Sequence, residues 1–197
     1  MPQLFDITNI ITTYGQLGIF IIIFLESGIF FPLPGDSLIF TAGLLAPILN
    51  FNIIFLTLLV FVAAYGGGIV GYYIGIKLEH LKRYAFFRKI FKQEYINEAH
   101  NFLEKHGLSA MILSRFVPVV RTFLPIVAGI THMEYFSFIR YSFLGAFIWS
   151  TSFVLSGYYL GRIFPQIHDY LIYVILLVIF LSILPGIVHY FRRKKIL

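Results

Sequence analysis

Two carboxylates and two arginines stand inside otherwise apolar sequence, and their chemistry suits anion capture and proton exchange. Glu26 and Asp36 flank the turn-forming prolines of "ESGIFFPLPGDSLIFTAG" (26–43), and Arg115 and Arg121 interrupt "GLSAMILSRFVPVVRTFLPIVAG" (107–129). Insertion scales place a central Asp, Lys or Arg at about 2.5–3.5 kcal/mol, so four such groups total roughly 10–14 kcal/mol unless paired or hydrated. A guanidinium fork matches phosphate oxygens. Return helices starting near Ser37 and Thr122 would add their positive N-terminal ends at the membrane centre, which makes Arg115 and Arg121 candidates to hold a phosphate. The plain alternative is a structural ion pair, which contributes little net stability once desolvation is counted. Asp36 or Ser37 could also serve as the N-cap of the return helix. Glu26 has no capping role, and its proton affinity is open to burial and to a nearby arginine, so it is the first candidate for proton coupling, with Asp36 the second.

The elements that must position these groups are membrane helices. Charged residues make up 12% of the 197 residues, about half the share of a soluble domain. The apolar runs 53–76, 141–161 and 170–191 are each long enough to cross a hydrocarbon core of roughly 30 Å. No cysteine is present, which excludes disulfides and thiolate metal sites. The N-terminus lacks the basic start of a secretory signal, so nothing is expected to be cleaved. Residues 1–76 contain no Lys or Arg, whereas 77–105 hold seven and the tail ends "FRRKKIL". The positive-inside rule makes loop 77–106 and the C-terminus cytoplasmic, in a multi-pass protein of the cell membrane.

Two cytoplasmic stretches require an even number of crossings between them, yet three apolar regions intervene. Parity is restored if 107–131 enters, turns near Pro118 and Pro125, and returns. The opening region 17–49 permits the same reading, with arms 17–31 and 38–49 and a turn at Pro32, Pro34 and Gly35. An 86-residue shift lays Pro32 on Pro118, Ala42-Gly43 on Ala128-Gly129, and "GYYIG" (71–75) on "GYYLG" (157–161) without a gap. The expected fold is therefore an all-α polytopic membrane protein forming one membrane domain over 1–197. Its first repeat (15–76) is a re-entrant hairpin plus the span 53–76. The second (107–161) is a hairpin plus the span 141–161, inverted relative to the first. A C-terminal span, 170–191, follows.

Gly67, Gly71 and Gly75 recur every four residues, as do Gly157 and Gly161, a spacing for close helix packing. Such faces pack within or between chains, which leaves a homo-oligomer open. Residues 78–103 alternate apolar and charged groups, either as an amphipathic segment on the cytoplasmic surface or as a solvated linker helix. His106, His132, His168 and His189 fall near membrane boundaries, and no pair has metal-ligand spacing. Trp149 reads as packing within a span, and Arg140 and Arg162 can snorkel.

Residues 15–165 resemble the DedA family, also called the SNARE-associated or VTT-domain family. The resemblance rests on "FLESGIFFPLPGDSLIFTAG" (24–43), "GGGIVGYYIG" (66–75) and "SRFVPVVRTFLPIVAG" (114–129). It implies two opposed re-entrant hairpins and lipid translocation, with essential charged positions at Glu26, Asp36, Arg115 and Arg121. At Asp36 this sequence departs from the Glu that many members carry. The implied substrates are undecaprenyl phosphate, which suits two arginines best, or phosphatidylethanolamine, whose ammonium a carboxylate could pair. Flippase, scramblase and proton-dependent small-solute transport all fall within this reading. A membrane assembly factor is the non-transport alternative. No enzyme is expected, because the hairpin cores contain no histidine to attack phosphorus and no Ser–His pair is evident. The expected partners are a membrane lipid, protons and the bilayer, without metal, cofactor or nucleic acid.

Overall fold

The computed structural model describes residues 7–28, 35–77 and 93–163, and those residues are helical throughout apart from short turns. The helices are α1 (Ile7–Glu26), α2 (Gly35–Leu45), α3 (Ile53–Ile76), α4 (Gln93–His106), the single turn α5 (Ala110–Leu113), α6 (Pro118–Ile130) and α7 (Tyr135–Ile163). Two of them, α3 and α7, are long and apolar enough to cross a membrane. At 1.5 Å per residue, the 24 residues of α3 reach roughly 36 Å and the 29 of α7 roughly 44 Å.

Local chemistry sets the boundaries. Asn52 caps α3, its Oδ1 accepting from the amides of Ile54 at 3.0 Å and Phe55 at 3.1 Å. Helix α4 ends at Gly107, whose φ of +57° is the left-handed conformation that favours glycine. Val117 is extended (φ −117°, ψ 106°) because the following proline ring disfavours helical geometry, and Pro118 then occupies the first position of α6. The helix break thus falls at Pro118, near which a turn was expected. Pro125 is different and corrects the expectation of a turn there. It lies inside α6. Proline removes one intrahelical donor, but this helix is enclosed, with every residue from Val120 to Gly129 buried. Gly71 of α3 makes room for the ring, since a Cβ there would lie 3.3 Å from the Pro125 Cβ.

Three boundaries also move. Helix α2 already includes Gly35, so Asp36 and Ser37 occupy its first turn and neither is the N-cap. Helix α6 begins four residues before Thr122, and α7 runs beyond the expected 141–161 at both ends. Pro32, Pro34, the stretch 78–92 and the span 170–191 lie outside the described residues.

The chain divides into two compact units. One combines α1 up to Ile19 with α2, the start of α3 through Leu59, and α7 from Thr151. The other combines the end of α1 from Phe20 with α3 from Val60 and the chain onward to Ser150. In the second unit α4 packs on α6 through Ile96, Ala99 and Leu103, which share one helix face, and the Tyr95 ring stands 5.1 Å from that of Phe123. Gly75 and Gly129 bring α3 and α6 to backbone contact, since a Cβ at either would lie 3.0 Å from the other's Cα. Gly67 abuts the Phe24 carbonyl, and the Gly71 position lies 3.0 Å from Gly28 Cα. Tyr72 Oη donates to the Met133 carbonyl at 2.7 Å. In the first unit Gly157 and Gly161 abut the carbonyls of Phe40 and Leu44, and Gly43 abuts that of Val154, so α2 lies against α7.

Candidate functional site

Three of the four charged positions lie in the second unit and are buried there. Glu26 ends α1, Arg121 is in the first turn of α6, and Arg115 is in the short 3-10 turn Ser114–Phe116 that precedes the break at Val117. Their relative exposures are 3%, 2% and 2%.

Arg121 Nη2 donates to Glu26 Oε1 in a buried ion pair. The adjacent Thr122 Oγ1 donates to the Glu26 backbone carbonyl at 2.9 Å, which ties α6 to the end of α1 a second time. The Arg121 guanidinium also lies 5.0 Å from the ring centre of Trp149, within cation–π range. A carboxylate and an aromatic face therefore both answer this arginine.

Arg115 is held differently. Its Nη1 donates to the Ala64 carbonyl and its Nη2 to the Ser142 hydroxyl, each at 3.1 Å. Both acceptors are neutral, and among the described residues no carboxylate lies within 4 Å of this guanidinium. Its aliphatic stem passes close to Gly145, where a Cβ would lie 3.3 Å from Arg115 Cγ. Neutral acceptors orient this cation without supplying a counter-charge, and low-dielectric surroundings strengthen the pull of such a group on an anion. Asp36 belongs to the first unit, half-buried in the first turn of α2, where the helix end favours a negative charge.

The spacing of charges did not reveal which carboxylate meets which arginine. The structure pairs Glu26 with Arg121. Sequence reasoning also missed Ala64, Gly68 and Ser142, and it read Trp149 as packing alone. One signal was available for Gly68. A packing stripe needs one glycine per turn, and "GGG" (66–68) supplies three in succession.

Apolar helices of spanning length around buried, partly paired charges define a helical membrane protein. The VTT domain model matches residues 33–159. Protein DedA of Escherichia coli K12 is 42% identical over 182 residues, covering 90% of this chain and 82% of the relative. An uncharacterized membrane protein of Mycobacterium leprae is 40% identical over 183 residues, covering 89% and 80%. Undecaprenyl phosphate transporter A of Staphylococcus aureus is 27% identical over 201 residues, covering 96% and 97%. No solved structure matches. The chain belongs to the DedA family of VTT-domain membrane proteins.

Proposed function

We propose that this protein is a membrane lipid transporter that carries a phosphate-bearing lipid, undecaprenyl phosphate first, with Arg115 as the principal phosphate-holding cation. One observation carries the reading: among the described residues the buried Arg115 is bound by a carbonyl and a hydroxyl and by no carboxylate, whereas Arg121 already has the Glu26 carboxylate. A monoester phosphate brings more negative charge to such a cation than a zwitterionic headgroup does. The Staphylococcus aureus relative, named for undecaprenyl phosphate transport, supports the choice of lipid. Arg121 becomes a second phosphate ligand when Glu26 takes up a proton and releases it. That exchange is the proposed proton coupling, and it makes the protein a transporter, with no enzymatic step.

The reading uses the inverted-repeat architecture, with two re-entrant hairpins, a cytoplasmic loop 77–106 and a cytoplasmic C-terminus in the cell membrane. The glycine contacts support the repeat. The 86-residue shift carries Gly43 onto Gly129 and Tyr72 onto Tyr158, and Gly43 meets the Tyr158 amide as Gly129 meets the Tyr72 carbonyl. The return helix of each repeat thus packs on the spanning helix of the other.

The test is translocation by purified protein in vesicles, with undecaprenyl phosphate and phosphatidylethanolamine measured side by side, with and without a pH gradient. The expected result is gradient-dependent movement of undecaprenyl phosphate, with Glu26→Gln insensitive to the gradient. Preferential movement of phosphatidylethanolamine would reassign the substrate. Movement of neither lipid would sink the transport reading in favour of an assembly role.

A further inference from the structure

We infer that Ser142 and Gly68 are positioning residues that determine phosphate specificity by holding the Arg115 guanidinium in place without neutralising it. This rests on the phosphate role proposed for Arg115. The Ser142 hydroxyl accepts from Nη2 at 3.1 Å, and the Ala64 carbonyl one turn before Gly68 accepts from Nη1. Gly68 forms the wall. A Cβ there would lie 3.0 Å from Arg115 Nη2 and 3.4 Å from Ser142 Oγ, so any side chain would press on the guanidinium and its acceptor together. Ser142 is fully buried, and Gly68 is buried beside it.

Two of the five guanidinium N–H groups are spent on these acceptors, which fixes the plane of the fork and leaves donors for a ligand. A carboxylate in place of the hydroxyl would bind the arginine more tightly but cancel its charge. Loss of the hydroxyl would leave the charge but free the fork. Specificity for a phosphate needs a neutral acceptor in this socket.

The socket is tested by the binding of farnesyl phosphate and farnesol to purified full-length protein. Both are followed through the fluorescence of Trp149, the one tryptophan of the chain, which lies beside Arg121. The wild type is expected to prefer the phosphate over the alcohol, and Arg115→Ala to lose that preference. Ser142→Ala and Gly68→Ala should each weaken the phosphate by about tenfold, the scale of one hydrogen bond to a charged group, and leave farnesol unchanged. Ser142→Asp should abolish the preference while raising the unfolding temperature. A purely structural serine would be replaced by that stronger acceptor with the preference intact, and this outcome would overturn the inference. Retention of the full preference by both alanine variants would overturn it as well, with the role of Arg115 left standing. Absence of any phosphate preference in the wild type removes both the inference and the reading beneath it.

A separate observation carries a second inference. The two glycine contacts correspond under the 86-residue shift, but not in register. Gly43 sits by the Val154 carbonyl and Tyr158 amide, whose equivalents are Gly68 and Tyr72, whereas Gly129 sits by the Tyr72 carbonyl and Ile76 amide. Likewise the Phe40 carbonyl meets Gly157, while that of its equivalent, Ile126, meets Gly75 rather than Gly71. Each difference is four residues in the same direction, one helical turn. The geometry points to two alternative seats for a return helix along its glycine stripe, one turn apart, which the two repeats exchange. Glycines wait at the alternative seats too, Gly71 for Ile126 and Gly161 for Phe40. Sliding α6 by one turn along α3 separates Arg121 from Glu26 unless α1 follows.

Spin labels at Val62 and Ile130, both exposed, read this motion on full-length protein in bilayers. Two populations are expected, the second shorter by about 6 Å, the rise of four helical residues. Glu26→Gln should enrich the second. A single distance unchanged by Glu26→Gln would overturn the inference.

Discussion

The packing of α6 on α3 and of α2 on α7 uses the same device in the two units, and among the described residues the buried ion pair lies in the second of them. Each pair is brought to backbone contact by glycines, Gly75 and Gly129 in one and Gly43, Gly157 and Gly161 in the other. Beside α6 stand a buried ion pair, a cation–π contact and an arginine held by a carbonyl and a hydroxyl. On α2 the corresponding feature is Asp36, half-buried in a first helical turn. Close packing is thus the frame the two units share.

The harshest way to break this comparison is to fill the glycine contacts. Gly129→Val drives a side chain into the Tyr72 carbonyl, and Gly43→Val drives one into that of Val154. Each should cost more than about 4 kcal/mol, the range reserved for severe core damage, and should lower the yield of monodisperse protein sharply. Tolerance of one but not the other would show that the two contacts are not equivalent.

Charge removal then tests the pairing beside α6. Glu26→Ala leaves Arg121 buried without its carboxylate and should destabilise by about 3–5 kcal/mol, with much of the loss recovered in the Glu26→Ala/Arg121→Ala double variant. Equal or greater loss in the double variant, by denaturant titration, would contradict the pairing. The smallest difference concerns Tyr72 and Tyr158, which the 86-residue shift aligns. Tyr72→Phe forfeits the bond to the Met133 carbonyl, about 1 kcal/mol. Tyr158→Phe should stay within about 0.5 kcal/mol.

Much of this architecture was legible in the residues. Apolar length gave α3 to the residue, and Pro118 marked the break, because both follow from local sterics and composition. The glycine stripes announced close packing, although they could not name its partners. Pro125 misled because a proline signals a turn only where nothing else encloses the helix, and α6 is buried on every side. The charged residues drew attention to positions that prove buried, but not to their pairings. Which arginine keeps its charge depends on acceptors from distant segments, the Ala64 carbonyl and Ser142 hydroxyl. A backbone carbonyl leaves no trace in a sequence, and Ser142 is one of five serines in α7 with nothing in its type to single it out.

The contrast between an arginine paired with a carboxylate and one held by neutral acceptors is tested most directly by undecaprenyl phosphate translocation in vesicles containing wild type or Arg115→Ala, with the unfolding temperature of each measured in parallel. Rapid movement in the wild type and its loss in a folded Arg115→Ala protein is the predicted result. Movement at the wild-type rate in Arg115→Ala would contradict the account and reduce the buried arginine to a structural tie between α3 and α7.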